Sequence, residues 1–497
     1  MLIEWLHNHF LTLMVFVPSV GALVVLCLPK NEFTSIRGAA LGFTLLNFCI
    51  NLWALSFFHA GSADFQFVEL VPWIPAFNIQ YHLGVDGVSF LLILLTNFLM
   101  PIVLLFSWRS VETRVKEYMF LMLLLHTGMV GTFASLDFFL FYVFWEIMLI
   151  PMYFLIGVWG SGRRIQAAFK FILYTMIGSV LMLVAILYGY FKGGKSFDIV
   201  HWLSISFSFK EQFWLFLAFA FAFAIKVPIF PLHTWLPDAH TEAPTGGSVI
   251  LAGVLLKMGV YGFYRFAMPF FPDAVRYFTP LILTLAVIGI VYGSLVAMVQ
   301  KEIKRLVAYS SVAHLGFVML GLFALDQKGV DGAILQLINH GLSTGALFLL
   351  VGMIYDRRHT RQIEDYGGLA KVMPLYAFFF VFVTLSSIGL PGLNNFVGEF
   401  LILLGSFQTE RIYSIVAVSG VVLGAIYMLW MVERVFYGPI RHEENKKLKD
   451  LNLREIMVLV PLCLAMIGIG VYPRPILKMV GSSTQAFIKL TTRVAAK

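Results

Sequence analysis

Lys226-Val-Pro-Ile-Phe-Pro-Leu-His-Thr-Trp-Leu-Pro-Asp-Ala-His-Thr-Glu-Ala-Pro-Thr-Gly-Gly247 sets a lysine at the end of an apolar run and follows it with Pro228, Pro231, Pro237 and Pro244. Phe216-Leu-Ala-Phe-Ala-Phe-Ala-Phe-Ala-Ile225 immediately before it has no polar side chain. Proline removes a backbone donor and clashes with the preceding turn, so the stretch reads as a half-helix that stops near Lys226 and continues as a structured loop. A second break, Gly389-Leu-Pro-Gly-Leu-Asn-Asn-Phe-Val-Gly-Glu-Phe400, puts Glu399 beside an unwound turn. Titratable residues next to interrupted apolar helices are the pattern of a transport site inside a membrane.

Outward from these breaks, apolar runs recur along the whole chain. Of its 497 residues 60% are hydrophobic and 12% charged, and a mean hydropathy of +0.86 makes the bilayer the solvent. Runs near 10–28, 38–58, 84–107, 118–134, 137–158, 167–190, 213–230, 247–267, 278–299, 304–323, 332–354, 374–407, 411–432 and 454–473 predict an all-α polytopic protein of about fourteen spans. The over-long twelfth run contains the second break and counts as one interrupted span.

Lys and Arg sort into alternate loops, which orients the chain because cytoplasmic loops retain positive charge. About twenty fall in odd loops, from Lys30 and Arg37 to Arg441, Lys446, Lys447, Lys449 and Arg454, against about six in even loops, among them the long stretch 59–82. Both termini are therefore expected on the non-cytoplasmic side of a bacterial cytoplasmic membrane. The net charge of +8 is a topology signal and not a nucleic-acid footprint. Met1-Leu-Ile-Glu-Trp5 lacks a basic n-region and a cleavage site, so the first span reads as a structural helix. Cys27, Cys49 and Cys463 are too few and scattered for a disulfide framework, zinc site or iron–sulfur cluster. No Gly-x-Gly-x-x-Gly follows a strand and no phosphate-binding loop occurs, so no nicotinamide or ATP site is expected.

Ionisable groups inside spans cost at least about 2.5 kcal/mol on insertion scales and default to a functional reading. Glu146 lies within Phe141-Tyr-Val-Phe-Trp-Glu-Ile-Met-Leu-Ile-Pro151, Lys257 within Leu251-Ala-Gly-Val-Leu-Leu-Lys-Met-Gly259, and His314, His340 and Glu399 lie in three further spans. Each has a plainer alternative. Lys226 can snorkel to headgroups, His314 and His340 can be hydrogen-bonded glue between helices, and Glu146 and Glu399 can neutralise a partner to hold helices together. His126 and Asp137 fall nearer span ends, where a structural role leads. Desolvated lysine suits a proton path because a movable carboxylate decides whether it keeps its proton, and histidine relays in either direction. Glu146, Lys226, Lys257, His314, His340 and Glu399 then form one candidate relay. Asp238, His240 and Glu242, in the loop after the first break, are candidates for proton uptake, with capping and turn chemistry as the alternative. Residues 441–450 read as a solvated connector.

The breaks fall in the seventh and twelfth spans, five apart, so those helices run in opposite directions. Spans 4–8 and 9–13 then form two inverted five-helix repeats. The expected units are residues 1–110, an N-terminal three-helix region; 111–270 and 271–440, the two repeats; and 441–497, a connector, final helix and tail.

Pro231–Gly259, Ala308–Phe317, Asn339–Gly352 and Leu390–Leu401 together resemble the chain M (chain 4) family of antiporter-like membrane subunits of proton-pumping NADH:quinone oxidoreductase, respiratory complex I. The similarity runs over about residues 80 to 440. It implies fourteen spans, the inverted repeat, and a place in a stack of related membrane-arm subunits. It also implies that Glu146, Lys226, Lys257 and Glu399 are the family's buried acid, central lysine, second lysine and terminal acid, with His314 and His340 as linking histidines. FMN, iron–sulfur clusters and quinone are expected in partner subunits, with no cofactor or metal in this chain. The rivals are a subunit of a multi-subunit sodium/proton antiporter, a ferredoxin-, hydrogenase- or formate-linked complex with the same membrane arm, and a structural spacer, which the intact six-residue row argues against.

Overall fold

The computed structural model describes residues 8–493, and the Met1–Trp5 segment lies outside the described residues. Among the described residues, twelve helices are long and apolar enough to cross a membrane. The expected runs missing from those twelve are the two interrupted ones. Phe209–Lys226 has eighteen residues but carries Lys210, Glu211 and Lys226, and the 374–407 run divides into Pro374–Ser387 and Asn394–Thr409. Gly389 and Gly392 lie between them at φ +76° and +94°, backbone that favours glycine.

Three helices occupy the centre. The apolar 18-residue stretches of Thr245–Phe270 and Gln327–Arg358 are fully buried and that of Ile303–Phe323 almost so, while those of Phe33–Leu55, Arg164–Lys192 and Arg411–Phe436 are mostly not buried. A helix that is apolar on every side is stable only where it is surrounded or in lipid. The enclosed three carry Lys257, His340 and His314. Thr245–Phe270 also contains two π-helical turns, Leu251–Leu255 and Phe263–Ala267, irregularities that concentrate at functional places. A Cβ on Gly259 would lie 2.8 Å from the Phe223 carbonyl and the Val227 nitrogen. Glycine there lets the lysine-bearing end of Phe209–Lys226 press against the Lys257 helix.

Three segments differ from their expected form. The stretch 59–82 is largely an antiparallel hairpin, Gln66–Ile74 paired with Ile79–Val85. Glu69 on this hairpin accepts the Leu11 and Thr12 amides at 2.9 and 3.0 Å, satisfying donors at the start of the Phe10–Cys27 helix. The loop holding Asp238, His240 and Glu242 contains a helix, Trp235–Glu242; Pro237 sits in its first turn, where the missing N–H would have no helical partner. The expected tail is the helix Arg474–Thr492, which lies on Gly87–Ser110 and Gln327–Arg358. There the Gly87 amide donates to Ser483 Oγ at 3.2 Å and Thr484 Oγ1 donates to Asp331 at 2.5 Å.

Two ion pairs tie segments together outside the centre. Arg357 grips Glu455 with two parallel bonds of 2.8 and 2.6 Å, and Glu455 is buried. His82 on the hairpin meets Asp198 Oδ2 at 2.8 Å. Burial alone would raise the Asp198 carboxyl, but the His82 contact and the His201 amide more than offset it, so Asp198 titrates below its ordinary value of 3.8. Arg357→Ala leaves a buried carboxylate unpaired and is expected to cost about 3 kcal/mol, read as a lower thermal midpoint in detergent. Arg357→Ala combined with Glu455→Leu should recover part of that loss. The Asp198 contribution is present above the ordinary carboxylate value and lost as pH falls through the depressed one; acid titration of thermal stability should show this loss in the wild type and not in Asp198→Asn.

Candidate functional site

Lys226 closes the last turn of Phe209–Lys226 and is 1% exposed. Its Nζ has no hydrogen-bond partner among the described residues. It lies over the Trp145 ring at 5.0 Å and the Phe171 ring at 5.7 Å, and Glu146 is the acid whose charge reaches it. The aromatic faces compensate the ammonium by about 0.5 to 2 kcal/mol, less than a direct carboxylate contact. The helix bearing Glu146 is divided at Met148 into Phe138–Ile147 and Leu149–Trp159, with Pro151 in the first turn of the second. Glu146 Oε1 is buried without a hydrogen-bond partner among the described residues, while the carboxylate also has the Tyr142 hydroxyl as a hydrogen-bonding neighbour. Acid and amine are thus neighbours with no direct bond between them among the described residues.

The other four relay residues are in contact. Lys257 Nζ donates to the Ala252 carbonyl inside the first π turn and faces His340 Nδ1 at 2.6 Å. The His340 and His314 rings are 5.6 Å apart between centroids, and His314 Nδ1 lies 3.1 Å from Glu399 Oε1. A Cβ on Gly389 would fall 2.9 Å from Glu399 Oε2, so the glycine at the break makes room for the carboxylate. Lys257, His340, His314 and Glu399 form a continuous buried row across four helices. A proton can move along it by short transfers and ring reorientation. No hydrogen bond joins Lys226 to this row among the described residues.

A set of amides absent from the sequence reading holds the row in register. Gln336 Nε2 donates to Glu399 at 3.2 Å and to Asn395 at 3.1 Å. Asn339 donates to the Asn394 carbonyl at 2.8 Å, and Asn395 donates to Ser343 and to the Ser386 carbonyl at 2.9 Å. The Ser386 and Asn394 carbonyls on either side of the break are thereby paired by side-chain amides. The Asn394-Asn395 pair directly after Pro391-Gly392 is the one sequence signal for this network.

Asp238, His240 and Glu242 do not form one cluster. Asp238 faces outward and pairs with Lys170 at 2.7 Å and Arg305 at 3.6 Å. His240 points inward, fully buried and stacked on Phe348 at 4.7 Å, with both ring nitrogens lacking a hydrogen-bond partner among the described residues. Glu242 borders a cavity of about 110 Å³ that also touches Thr245, Lys304, Asp356 and Arg361. The loop that lacked basic residues in sequence is therefore ringed by cations from other segments. His126, read as near a span end, is fully buried and sits 2.6 Å from Asn97 Oδ1, in a polar knot with Asn47 and Asn51. Asp137 caps Phe138–Ile147 through the Phe139 and Leu140 amides. The structure also contains a buried pair that the sequence reading did not single out, Asp86 with Arg265 at 2.6 Å.

The family model described as NADH:quinone oxidoreductase/Mrp antiporter, transmembrane, matches residues 135–424. NADH-quinone oxidoreductase subunit M of Rhodobacter capsulatus is 46% identical over 499 residues, covering 97% of each chain. NADH-ubiquinone oxidoreductase chain 4 of Marchantia polymorpha is 44% identical over 477 residues, covering 96% of each. A chain of respiratory complex I from Thermus thermophilus superposes with a TM-score of 0.89 at 34% identity, over 97% of this chain and 99% of that one. A chain of an archaeal membrane-bound sulfane sulfur reductase gives 0.85 at 25% identity, over 97% and 99%. The buried lysines, histidines and acids, the two broken helices and these similarities agree: the chain belongs to the family of NADH:quinone oxidoreductase and Mrp antiporter membrane subunits.

Proposed function

We infer that this chain is the chain M (chain 4) subunit in the membrane arm of a proton-translocating NADH:quinone oxidoreductase, and that Glu146, Lys226, Lys257, His340, His314 and Glu399 carry the proton. The observation that carries this reading is the contrast between the two lysines. Lys257 is engaged in a row ending at a carboxylate, whereas Lys226 is buried, has no hydrogen-bond partner among the described residues, and feels the charge of one nearby acid. An engaged row conducts, and a free amine beside a movable acid switches. When Glu146 approaches, Lys226 keeps its proton; when Glu146 withdraws, the ammonium loses its compensation and the proton passes towards Lys257. Waters between the two lysines complete the path.

Proton uptake runs through the Glu242 cavity, with His240 between that cavity and the row and Asp238 as a surface acid held by Lys170 and Arg305. In this reading FMN, iron–sulfur clusters and quinone reside in partner subunits and this chain supplies no redox group. Related antiporter-like subunits flank it in a bacterial cytoplasmic membrane. Both termini lie on the non-cytoplasmic side, residues 111–270 and 271–440 are the inverted repeats, 1–110 is the N-terminal three-helix region, and 441–497 holds the connector and final helices. The degree of similarity to oxidoreductase subunits M and 4 favours this assembly over a sodium/proton antiporter or a ferredoxin-, hydrogenase- or formate-linked complex.

Lys226→Ala and Glu146→Gln, in complexes assembled to the wild-type level, should each lower NADH-driven proton uptake into membrane vesicles and quinone reduction together by at least about tenfold. Wild-type rates of both reactions in both variants would overturn the assignment. His340→Ala opens the row between Lys257 and His314 and is expected to abolish pumping by this subunit. Glu399→Asp should retain more activity than Glu399→Gln because it keeps a titratable end.

A further inference from the structure

Two cavities bearing charged side chains lie at opposite ends of one helix. The Glu242 cavity touches Thr245 and Gly246 at the start of Thr245–Phe270. A second, of about 240 Å³, touches Tyr264, Arg265, Pro269 and Phe270 at its end. Lys257 stands between, roughly 18 to 20 Å of helix from either end. The second cavity is walled by residues of the 56–65 segment, the 199–203 turn and the Arg474–Thr492 helix, and has room for several waters. The buried ion pair sits on its lining.

Arg265 is eight residues beyond Lys257 and four beyond Tyr261, so all three side chains leave the helix on one face. Its Nε approaches the Tyr261 hydroxyl at 3.3 Å, and that hydroxyl donates to the Phe133 carbonyl at 3.0 Å. The guanidinium is boxed by the rings of Phe65, Tyr264 and Tyr261 at 5.0, 5.3 and 5.5 Å. Asp86 Oδ2 holds it at 2.6 Å, while Asp86 Oδ1 accepts the Ser89 amide at 3.0 Å at the head of Gly87–Ser110. One carboxylate oxygen is therefore committed to the helix and the other to the arginine. Arg265 belongs to the second π turn, the looser part of the helix backbone, and Asp64 lines the same cavity as a second carboxylate.

We propose that Asp86 and Arg265 form the gate through which the proton leaves the buried row for the second cavity. Closed, the fixed guanidinium bars any cation at the inner end of the cavity. A proton arriving from the Lys257 side is taken by Asp86, which becomes neutral and loosens its hold on Arg265, leaving the guanidinium to the aromatic box around it and free to turn towards Asp64. Asp86 then gives that proton to cavity water, recovers its charge and draws Arg265 back. One proton enters and one leaves, and arginine stays charged throughout. A pair serving only as a staple would share the burial and the 2.6 Å contact but has no need of a water-sized cavity, an aromatic box and a second acid around the cation.

The gate rests on the relay reading above, and three measurements on intact complex in proteoliposomes separate the two. NADH-driven pumping is compared with passive proton leak under an imposed potassium diffusion potential without NADH. Arg265→Gln should raise the leak by about tenfold, and Asp86→Asn should lower protons pumped per NADH without raising it. Lys226→Ala should slow pumping with no change in leak. Should either gate variant fail to assemble, Ala486→Cys on the cavity wall, labelled with a small cationic methanethiosulfonate, tests the same route, and labelling should inhibit pumping. Wild-type leak and pumping in the gate variants, or no effect of the label, overturns the gate; full activity of Lys226→Ala overturns the relay instead.

Discussion

Every charge in the centre of this protein is placed against the absence of bulk water. In hydrocarbon an ammonium or carboxylate without a counter-charge is expensive, and a backbone group without a partner nearly as much so. The structure meets this cost in two different ways within one core. The Lys257 row is linked by contacts from the Ala252 carbonyl to the Gln336 amide. Lys226 is left with aromatic faces and the field of Glu146. The first arrangement holds its groups within transfer distance of one another without rearranging the fold. The second is sensitive to small displacements of one side chain, because the Coulomb energy of a pair in a medium of low dielectric constant changes steeply with distance.

Much of the irregular backbone is enclosed, while the tip of the second break, Leu390 to Gly392, is exposed. The break before Glu399 is closed by Asn339, Asn394, Asn395 and Ser386, all buried, and the π turns sit in a helix with no outward face. Outward helices such as Arg411–Phe436 are regular and long. This division follows from the bilayer, which tolerates unpaired backbone only inside protein or beside a water-filled cavity. The buried charged side chains and the enclosed π turns share that shelter.

The breaks, the spans and the charged side chains inside them were legible in sequence for one reason each. Proline and glycine punctuate helices, apolar runs have a required length, and a charge inside such a run is rare enough to stand out. Gln336 and Asn339 were not legible, because an amide in a span acquires meaning only when a second helix brings its partner. Arg265 was passed over near the end of the 247–267 run, and Asp86 at the start of the 84–107 run, where it caps Gly87–Ser110. His240 was placed in a loop because Pro237 reads as a turn, although a proline in a first helical turn is permitted. The hairpin at 66–85 was hidden because its strands carry Leu70, Val71 and Trp73 in exposed positions without a clean alternation.

The helix Arg474–Thr492 gives these contacts an order in time. Ser483 receives the amide of Gly87, a separation of 396 residues, and Phe487 packs on Tyr264 at 4.6 Å between ring centroids. This helix is thus part of the wall around Asp86 and Arg265. During synthesis and membrane insertion the helices before it can gather while that wall is still missing, and the cavity closes only when Arg474–Thr492 arrives. Biogenesis thereby works as a timer: the compartment next to the ion pair takes its final form after the spans before Arg474 have been inserted, and a chain cut before Arg474 would lack this wall.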